Sequence, residues 1–304
     1  MLRWLQLFRI SSVQPYHMQR NHVAGFRTLH TAKMDLRENQ IVKNQPHPVM
    51  HQNVIVMRHS ERLDNVEPLW VSAATRPWDP PLTQSGRVLA FKTGQGIRKS
   101  LGFPIHRLFV SPFLRCVQTA AEIAIALSDV DEAGESVSHD DISADPSKVK
   151  VSIENGLCEM LNTIAIRVNV APKDGNFSFD ISELETMFPN GTVDNDNNEE
   201  MVQNELPKWE ESVSQANVRY QQTITRLADK YPTENLLLVT HGEGTQVALS
   251  SYTKDVVEHK VKYCGYAQLT RPIFKNDHSF IGGKFNLQTQ IGQNGVNHIS
   301  SQEL

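Results

Sequence analysis

Two stretches of four unbroken apolar residues, Val54-Ile55-Val56-Met57 and Leu236-Leu237-Leu238-Val239, constrain the fold more than anything else in the chain. Neither alternates with polar residues, so each reads as a strand buried on both faces, the pattern of a parallel sheet covered by helices. Each also empties into a polar cluster: Arg58-His59-Ser60-Glu61-Arg62 after the first, Thr240-His241-Gly242-Glu243-Gly244 after the second. Open α/β sheets bind ligands beyond the carboxyl ends of such strands. A histidine between arginines suits a phosphoryl group there, because a guanidinium stays charged and offers phosphate oxygens a planar fork of donors.

The segments between these strands continue the strand-then-helix alternation. Thr83 is placed to cap a helix running to Leu101, which Gly102 stops. Arg107 to Ser111 reads as a second buried strand, and Ser111-Pro112 as the N-cap and first-turn proline of an apolar helix through Leu127. Arg115 falls in that helix's first turn, where the dipole disfavours a cation, so an anionic partner is expected for it. Residues 128–147 carry seven carboxylates and almost no large apolar residue, the composition of a solvated loop. Lys148 to Ile153 reads as a strand leading into Glu154-Asn155-Gly156-Leu157-Cys158-Glu159, followed by an insertion over 162–204 of the kind that shapes or covers a site. Glu205 to Tyr231 has helical spacing, with Trp209 against the core and Pro232 as the stop. Tyr266 to Phe274 and Ser279 to Leu287 read as late edge strands, and 290–304 as a frayed polar tail. The domain is therefore expected over 47–289.

Charge narrows the partners. Residues 1–33 hold Arg3, Arg9, Arg20, Arg27 and Lys33 and no acid, so without those five charges the remainder goes from −4 to −9. So acidic a domain is a poor nucleic-acid binder, since duplex binding depends on Lys and Arg neutralising phosphates. No window approaches a transmembrane span, and no membrane partner is expected. The acid-free start resembles an organellar transit peptide. Its counter-reading is a dispensable leader with Met34 as the true start, so residues 1–46 stay outside the fold in either case. The expected location stays open between cytoplasmic and, if residues 1–33 act as a transit peptide, mitochondrial or plastid. Cys116, Cys158 and Cys264 are too few and scattered for a disulfide framework or a zinc site.

Taken together, Arg58, His59, Arg62, Arg115, Glu159 and His241 arrive from four strand ends or the turns after them. The stretches that carry them, Val-Ile-Val-Met-Arg-His at 54–59, Pro-Pro-Leu-Thr with Gly86 at 80–86, Ser-Pro-Phe-Leu-Arg-Cys-Val-Gln-Thr-Ala at 111–120, Gly-Leu-Cys-Glu at 156–159 and Val-Thr-His-Gly at 239–242, resemble in order and content the histidine phosphatase superfamily, or phosphoglycerate mutase-like family. Nearest in resemblance are uncharacterised plant phosphoglycerate mutase family proteins, which share Pro-Leu-Trp at 68–70 and Arg-Pro-Trp-Asp-Pro-Pro at 76–81, then the T-cell signalling suppressor phosphatases. The resemblance implies a three-layer α/β/α sandwich with a mostly parallel central sheet and an inserted cap region.

It also implies a chemistry that needs neither metal nor cofactor. His59 would attack phosphorus and become a phosphohistidine, with Arg58, Arg62, Arg115 and His241 holding the equatorial oxygens and Glu159 serving as general acid and then base. Glu61 and Glu243 are the alternates to Glu159, and Trp70 and Trp78 are candidates for the pocket mouth. The expected activity is phosphomonoester hydrolysis, on a phosphorylated small molecule or a phosphoprotein. Two departures keep alternatives open. Leu63-Asp64-Asn65 lacks the serine, tryptophan and asparagine run of the glycolytic mutases, which weighs against a phosphomutase. Ser60 stands where the family has glycine; its Cβ could crowd the ligand, leaving a non-catalytic phosphate or phosphopeptide binding module as the other alternative.

Overall fold

The structure, a computed structural model, describes residues 47–128, 145, 148–194, 201–252 and 259–298. The leader expected over 1–46, with its transit-like part, lies outside the described residues, as does the acidic stretch except for Ser128 and Asp145. The chain from His47 onward forms one compact unit. Its strands are β1 (Met50–Arg58), β2 (Arg107–Val110), β3 (Lys150–Ile153), β4 (Leu236–Thr240), β5 (His259–Val261), β6 (Tyr266–Asn276), β7 (Ser279–Gly282), β8 (Asn286–Leu287) and β9 (Val296–His298). Its α-helices are α1 (Trp70–Ala73), α2 (Gln84–Ser100), α3 (Leu114–Ser128), α4 (Ile181–Glu185), α5 (Val213–Lys230) and α6 (Gly242–Ser250).

The main sheet runs in the order β3-β2-β4-β1-β6-β7, with β8 added against β6. β3, β2, β4 and β1 are mutually parallel, and β6 and β7 run antiparallel to their neighbours. The chain leaves β1, passes two strand positions over to β2, moves out to β3, and returns to place β4 between β1 and β2. That reversal leaves the crevice in which α/β sheets bind ligands.

Alternation along the apolar strands supplies both cores. Ile55, Met57, Leu108, Val110, Leu237 and Val239 pack on one face with residues of α2 and α3, among them Ala90, Ile97, Val117 and Ile123. Val54, Val56, Phe109, Leu236 and Leu238 pack on the other with Ile224 and Leu227 of α5 and Ala248 and Leu249 of α6. This is the expected α/β fold, helices on both faces of a mostly parallel sheet. Thr83 caps α2 by accepting the Gly86 N–H at 2.8 Å, and Gly102 just past its end has a φ of +69, in the region open to glycine.

Four elements differ from expectation. Pro112 does not open α3, which begins at Leu114; its N–H is taken by the Asp79 carboxylate at 2.8 Å, and Ser111 turns its hydroxyl toward His241 instead. α5 starts at Val213 rather than near Glu205, because Pro207 and the positive φ of 68 at Glu210 keep the preceding segment out of helix, and Ser212 with Gln215 forms a capping box. β6 is interior rather than an edge, pairing along β1 from Met50↔Ile273 to Met57↔Tyr266. The segment from Gln290 is not a frayed tail throughout: Val296–His298 pairs with β5, Val296 is buried, and Tyr266 donates its N–H to the Asn294 carbonyl. The insertion is partly core as well, since Ile166, Val170, Phe177, Leu184 and Phe188 join the α2–α3 side of the sheet.

Candidate active site

β1 and β4 end level with each other, Arg58 opposite Thr240, so the next residue of each chain segment is a histidine at the same height. The His59 and His241 rings lie 5.5 Å apart, edge to face. β2, on the far side of β4, leads through Ser111 into α3 and brings Arg115. β3 leads through the 3-10 turn Asn155–Leu157 to Glu159. Parallel pairing thus converts four distant sequence positions into one cluster of neighbouring side chains.

His59 is buried, and its Nδ1 sits 2.7 Å from the Ser60 carbonyl, a group that only accepts. Nδ1 therefore carries the proton and Nε2 the lone pair. Burial first, then the charge of Arg115, the neighbouring His241 and the charge of Arg58, push its pKa well below the ordinary value. The imidazole is neutral at physiological pH, the state in which its Nε2 lone pair is available. His241 is fully buried and held neutral by burial and by Arg115. Its Nε2 lies 2.9 Å from Ser111 Oγ, and its Nδ1 lies 3.0 Å from Glu159 Oε2 and 3.1 Å from Arg115 Nη2.

Arg115, at 1% exposure, has the anionic partner its helix position called for: Nη2 donates to Glu159 Oε2 at 3.0 Å. Its Nε and Nη1 are buried with no hydrogen-bond partner, and so is Nε of Arg58. Arg58 is anchored by Nη1 to the Val261 carbonyl at 2.7 Å and lies over the Tyr263 ring at 4.5 Å. Arg62, expected to hold phosphate directly, gives Nε and Nη2 to both oxygens of buried Asp64 at 2.8 and 2.7 Å. It still lines a cavity of about 260 Å³ with Asp64, Asn65, Trp78, Arg115, Ala165, Ile166, Arg167 and Val170.

The two alternates to Glu159 separate cleanly. Glu61 accepts from Thr83 and Ser85 at 2.8 and 2.6 Å, which holds its carboxyl below its ordinary value and ties it to the start of α2. At Glu243 the Glu159 charge first, then burial, push the pKa up to about 8. Glu159 also takes the Met160 N–H on Oε1 at 3.1 Å.

Ser60 does not meet the pocket. Its hydroxyl donates to the Gly86 carbonyl at 2.7 Å and its N–H to Thr119 Oγ1 at 3.0 Å, with the residue fully buried. Gly86 is needed where it stands, because a Cβ there would lie 2.6 Å from the Glu61 carbonyl oxygen. Trp78 lines the cavity and meets Phe113, Phe177 and Phe179 edge on, whereas Trp70 lines a separate pocket with Met187 and Leu184. Cys116 and Cys158 are fully buried with thiol pKa values raised by burial, so they pack rather than react.

Sequence reasoning missed the supports. Asp64 orients Arg62 and also meets Arg167 at 3.2 Å. Tyr263 packs near both Arg58 and His59 and bonds Asn65. Arg219 donates to the Gly156 and Cys158 carbonyls, both at 2.9 Å, and pairs with Glu211, while Tyr220 donates to the Cys158 carbonyl at 2.7 Å. Only the helical spacing of 219 and 220 hinted at an inward face. Among the described residues, no three His, Cys, Asp or Glu side chains cluster so as to hold a metal ion.

A neutral histidine beside buried guanidinium nitrogens that lack acceptors is an arrangement whose charge suits a compact anion. Residues 54–134 match the family described as Histidine phosphatase superfamily (branch 1), a stretch that includes Arg58, His59, Arg62 and Arg115. An uncharacterized phosphoglycerate mutase family protein of Acanthamoeba polyphaga mimivirus is 42% identical over 72 residues; the match spans 23% of this chain and 35% of that protein. Among solved structures, the ecdysone phosphate phosphatase of Bombix mori overlaps with a TM-score of 0.47 at 20% identity, over 82% of this chain and 96% of that one. The phosphoglycerate mutase of Bacillus anthracis str. Sterne overlaps at 0.45 and 14% identity, over 80% and 94%. A mycobacterial glucosyl-3-phosphoglycerate phosphatase overlaps at 0.45 and 15%, over 79% and 98%.

Proposed function

We propose that the chain is a metal-independent phosphomonoester hydrolase that works through a phosphohistidine on His59, with Glu159 as general acid and base. The observation that carries the reading is the set of buried, partnerless donors, Arg115 Nε and Nη1 and Arg58 Nε, around a histidine whose Nε2 lone pair is free. Each buried unsatisfied donor costs about 1–3 kcal/mol, more when charged, and a phosphoryl dianion supplies the acceptors. In this reading His59 Nε2 attacks phosphorus while the guanidinium groups and His241 balance the equatorial oxygens. The Ser60 carbonyl holds Nδ1–H and stabilises the ring as it becomes cationic. Glu159, fixed by Arg115, His241 and the Met160 N–H, gives the leaving oxygen its proton and then takes one from the incoming water.

The binding-module alternative loses its motive, since the Ser60 hydroxyl is spent on Gly86. Against a phosphomutase stands the Leu63-Asp64-Asn65 run, which lacks the serine, tryptophan and asparagine of the glycolytic mutases. Nearness to plant proteins rests on the shared 68–70 and 76–81 stretches alone, because the curated relative reported above is viral. The test is phosphate release from a panel of phosphometabolites, phosphopeptides and an aryl phosphate. Wild-type turnover that vanishes in His59→Ala, with an acid-labile, base-stable ³²P label trapped on the wild type, is the expected result. Turnover unchanged in His59→Ala would refute it.

A further inference from the structure

The cavity beside the histidine cluster holds a cation that the mechanism just described does not use. Three arginines line it, Arg62, Arg115 and Arg167, and among the described lining residues one carboxylate, Asp64. Arg62 already takes both Asp64 oxygens, and Arg115 has Glu159 at 3.0 Å. Arg167 reaches Asp64 only through Nη2 at 3.2 Å, and the oxygen it meets is the one that Arg62 holds at 2.7 Å. One carboxylate does not neutralise two guanidinium groups, so the Arg167 charge is left over on the cavity wall. It is also away from the phosphoryl end: the charges acting most on His59 and His241 are those of Arg115, Arg58, Arg62 and Arg219.

The Arg167 side chain is 60% exposed, yet its backbone is built into a fixed turn. Buried Asn162 accepts the Ile164 and Ala165 N–H groups at 3.0 and 3.2 Å and donates to the Glu211 carbonyl at 2.7 Å. The Arg167 carbonyl then accepts from Val170 and Ala171 at 3.0 and 3.2 Å. Resting on the phosphatase reading, we propose that Arg167 selects the substrate by binding a second anionic group on its alcohol portion, so that the preferred substrates are compact phosphomonoesters with a second negative charge. The cavity is reached from Arg115, the side chain that also holds Glu159, and Glu159 protonates the leaving oxygen; the alcohol portion therefore points toward Arg167. Size agrees with a compact substrate. About 260 Å³ falls below the roughly 300–1,000 Å³ of sites for drug-sized ligands, and Trp78, wedged among Phe113, Phe177 and Phe179, fixes one wall. A carboxylate or a second phosphate satisfies the same guanidinium fork.

The experiment compares matched esters on the full chain: 2-phosphoglycolate with 2-hydroxyethyl phosphate for a carboxylate, and glycerol 1,3-bisphosphate with glycerol 1-phosphate for a second phosphate. In at least one pair the doubly anionic ester should have a kcat/KM roughly tenfold higher, the worth of one hydrogen bond to a charged group, and the pair that shows it names the anion. Arg167→Gln should abolish that preference through KM rather than kcat, and Arg167→Lys should restore part of it. Arg167→Glu should invert it, favouring phosphoethanolamine over 2-phosphoglycolate, a gain that a misfolded chain does not give. Ratios within twofold in both pairs, or a preference that survives Arg167→Gln, overturn the assignment of Arg167. Failure of the wild type to turn over any of these esters or an aryl phosphate overturns the phosphatase reading instead. Calorimetric Kd values for the same pairs then decide the Arg167 contact separately: a roughly tenfold preference lost in Arg167→Gln upholds it, and equal Kd values overturn it.

Discussion

Replacing Arg219 with Met tests whether the loop bearing Glu159 is clamped from α5. Arg219 and Glu211 are 6% and 8% exposed at their side chains and joined by two bonds, Nε to Oε1 at 2.8 Å and Nη2 to Oε2 at 2.7 Å. Methionine fills a similar volume but leaves the Glu211 carboxylate without its cation, and breaking a buried pair from one side costs about 3–5 kcal/mol. The Gly156 and Cys158 carbonyls also lose their shared donor at 2.9 Å, although Tyr220 still serves Cys158. A total of about 4–5 kcal/mol is expected, a large share of the roughly 5–15 kcal/mol that holds a domain together. Urea unfolding at pH 7 should show the midpoint falling with little change in slope. Adding Glu211→Leu should recover about half, since both members of the pair are then apolar and only the carbonyls remain unserved. A loss under about 1 kcal/mol for the single change, or a double variant no better than the single, would show that the pair does not hold this loop.

Two further outcomes are expected. Because burial and Arg115 keep His59 neutral, its protonation removes the nucleophile only well below the ordinary histidine range. The kcat/KM for an aryl phosphate should therefore change less than about twofold between pH 7 and 6, and an acid limb centred at or above pH 6.5 would contradict the assigned state of the ring. Ser60→Gly removes one buried hydrogen bond to Gly86 and adds backbone freedom, for about 1–2 kcal/mol of lost stability in thermal unfolding, with activity within threefold of wild type; a gain in turnover of tenfold or more would mean the side chain does crowd the ligand.

The strands and the main candidate residues were legible because they depend on local pattern. An unbroken apolar run before Arg58 or after Asn235 needs no knowledge of its neighbours to read as a buried strand, and a cation in the first turn of α3 implies an anion close by. What escaped depends on where a second element lies. The Ser60 hydroxyl turns outward from the pocket only because the α2 start, with Gly86, packs against that loop. Asp64 looked like a mere departure from a mutase sequence, and its claim on Arg62 appears only with both in space. Arg219 serves carbonyls about 60 residues earlier in the chain, which no periodicity reports. β9 contributes a single apolar residue, Val296, so it has no pattern of its own and exists only because β5 is there to pair with it.

The return of the chain to place β4 beside β1 bears on how the protein comes into being. Asn53 and Asn235, at the base of that pair, are 182 residues apart, and Arg58 is anchored to a carbonyl 203 residues further on. On a ribosome, β1 emerges long before either neighbour, exposing an apolar strand with both edges open, the kind of segment that chaperones or aggregation capture first. β2, α3 and β3 can close among themselves in the meantime. Loop closure over such distances is slow, so the cluster around His59 and His241 should assemble with the last strands of the sheet rather than accumulate gradually.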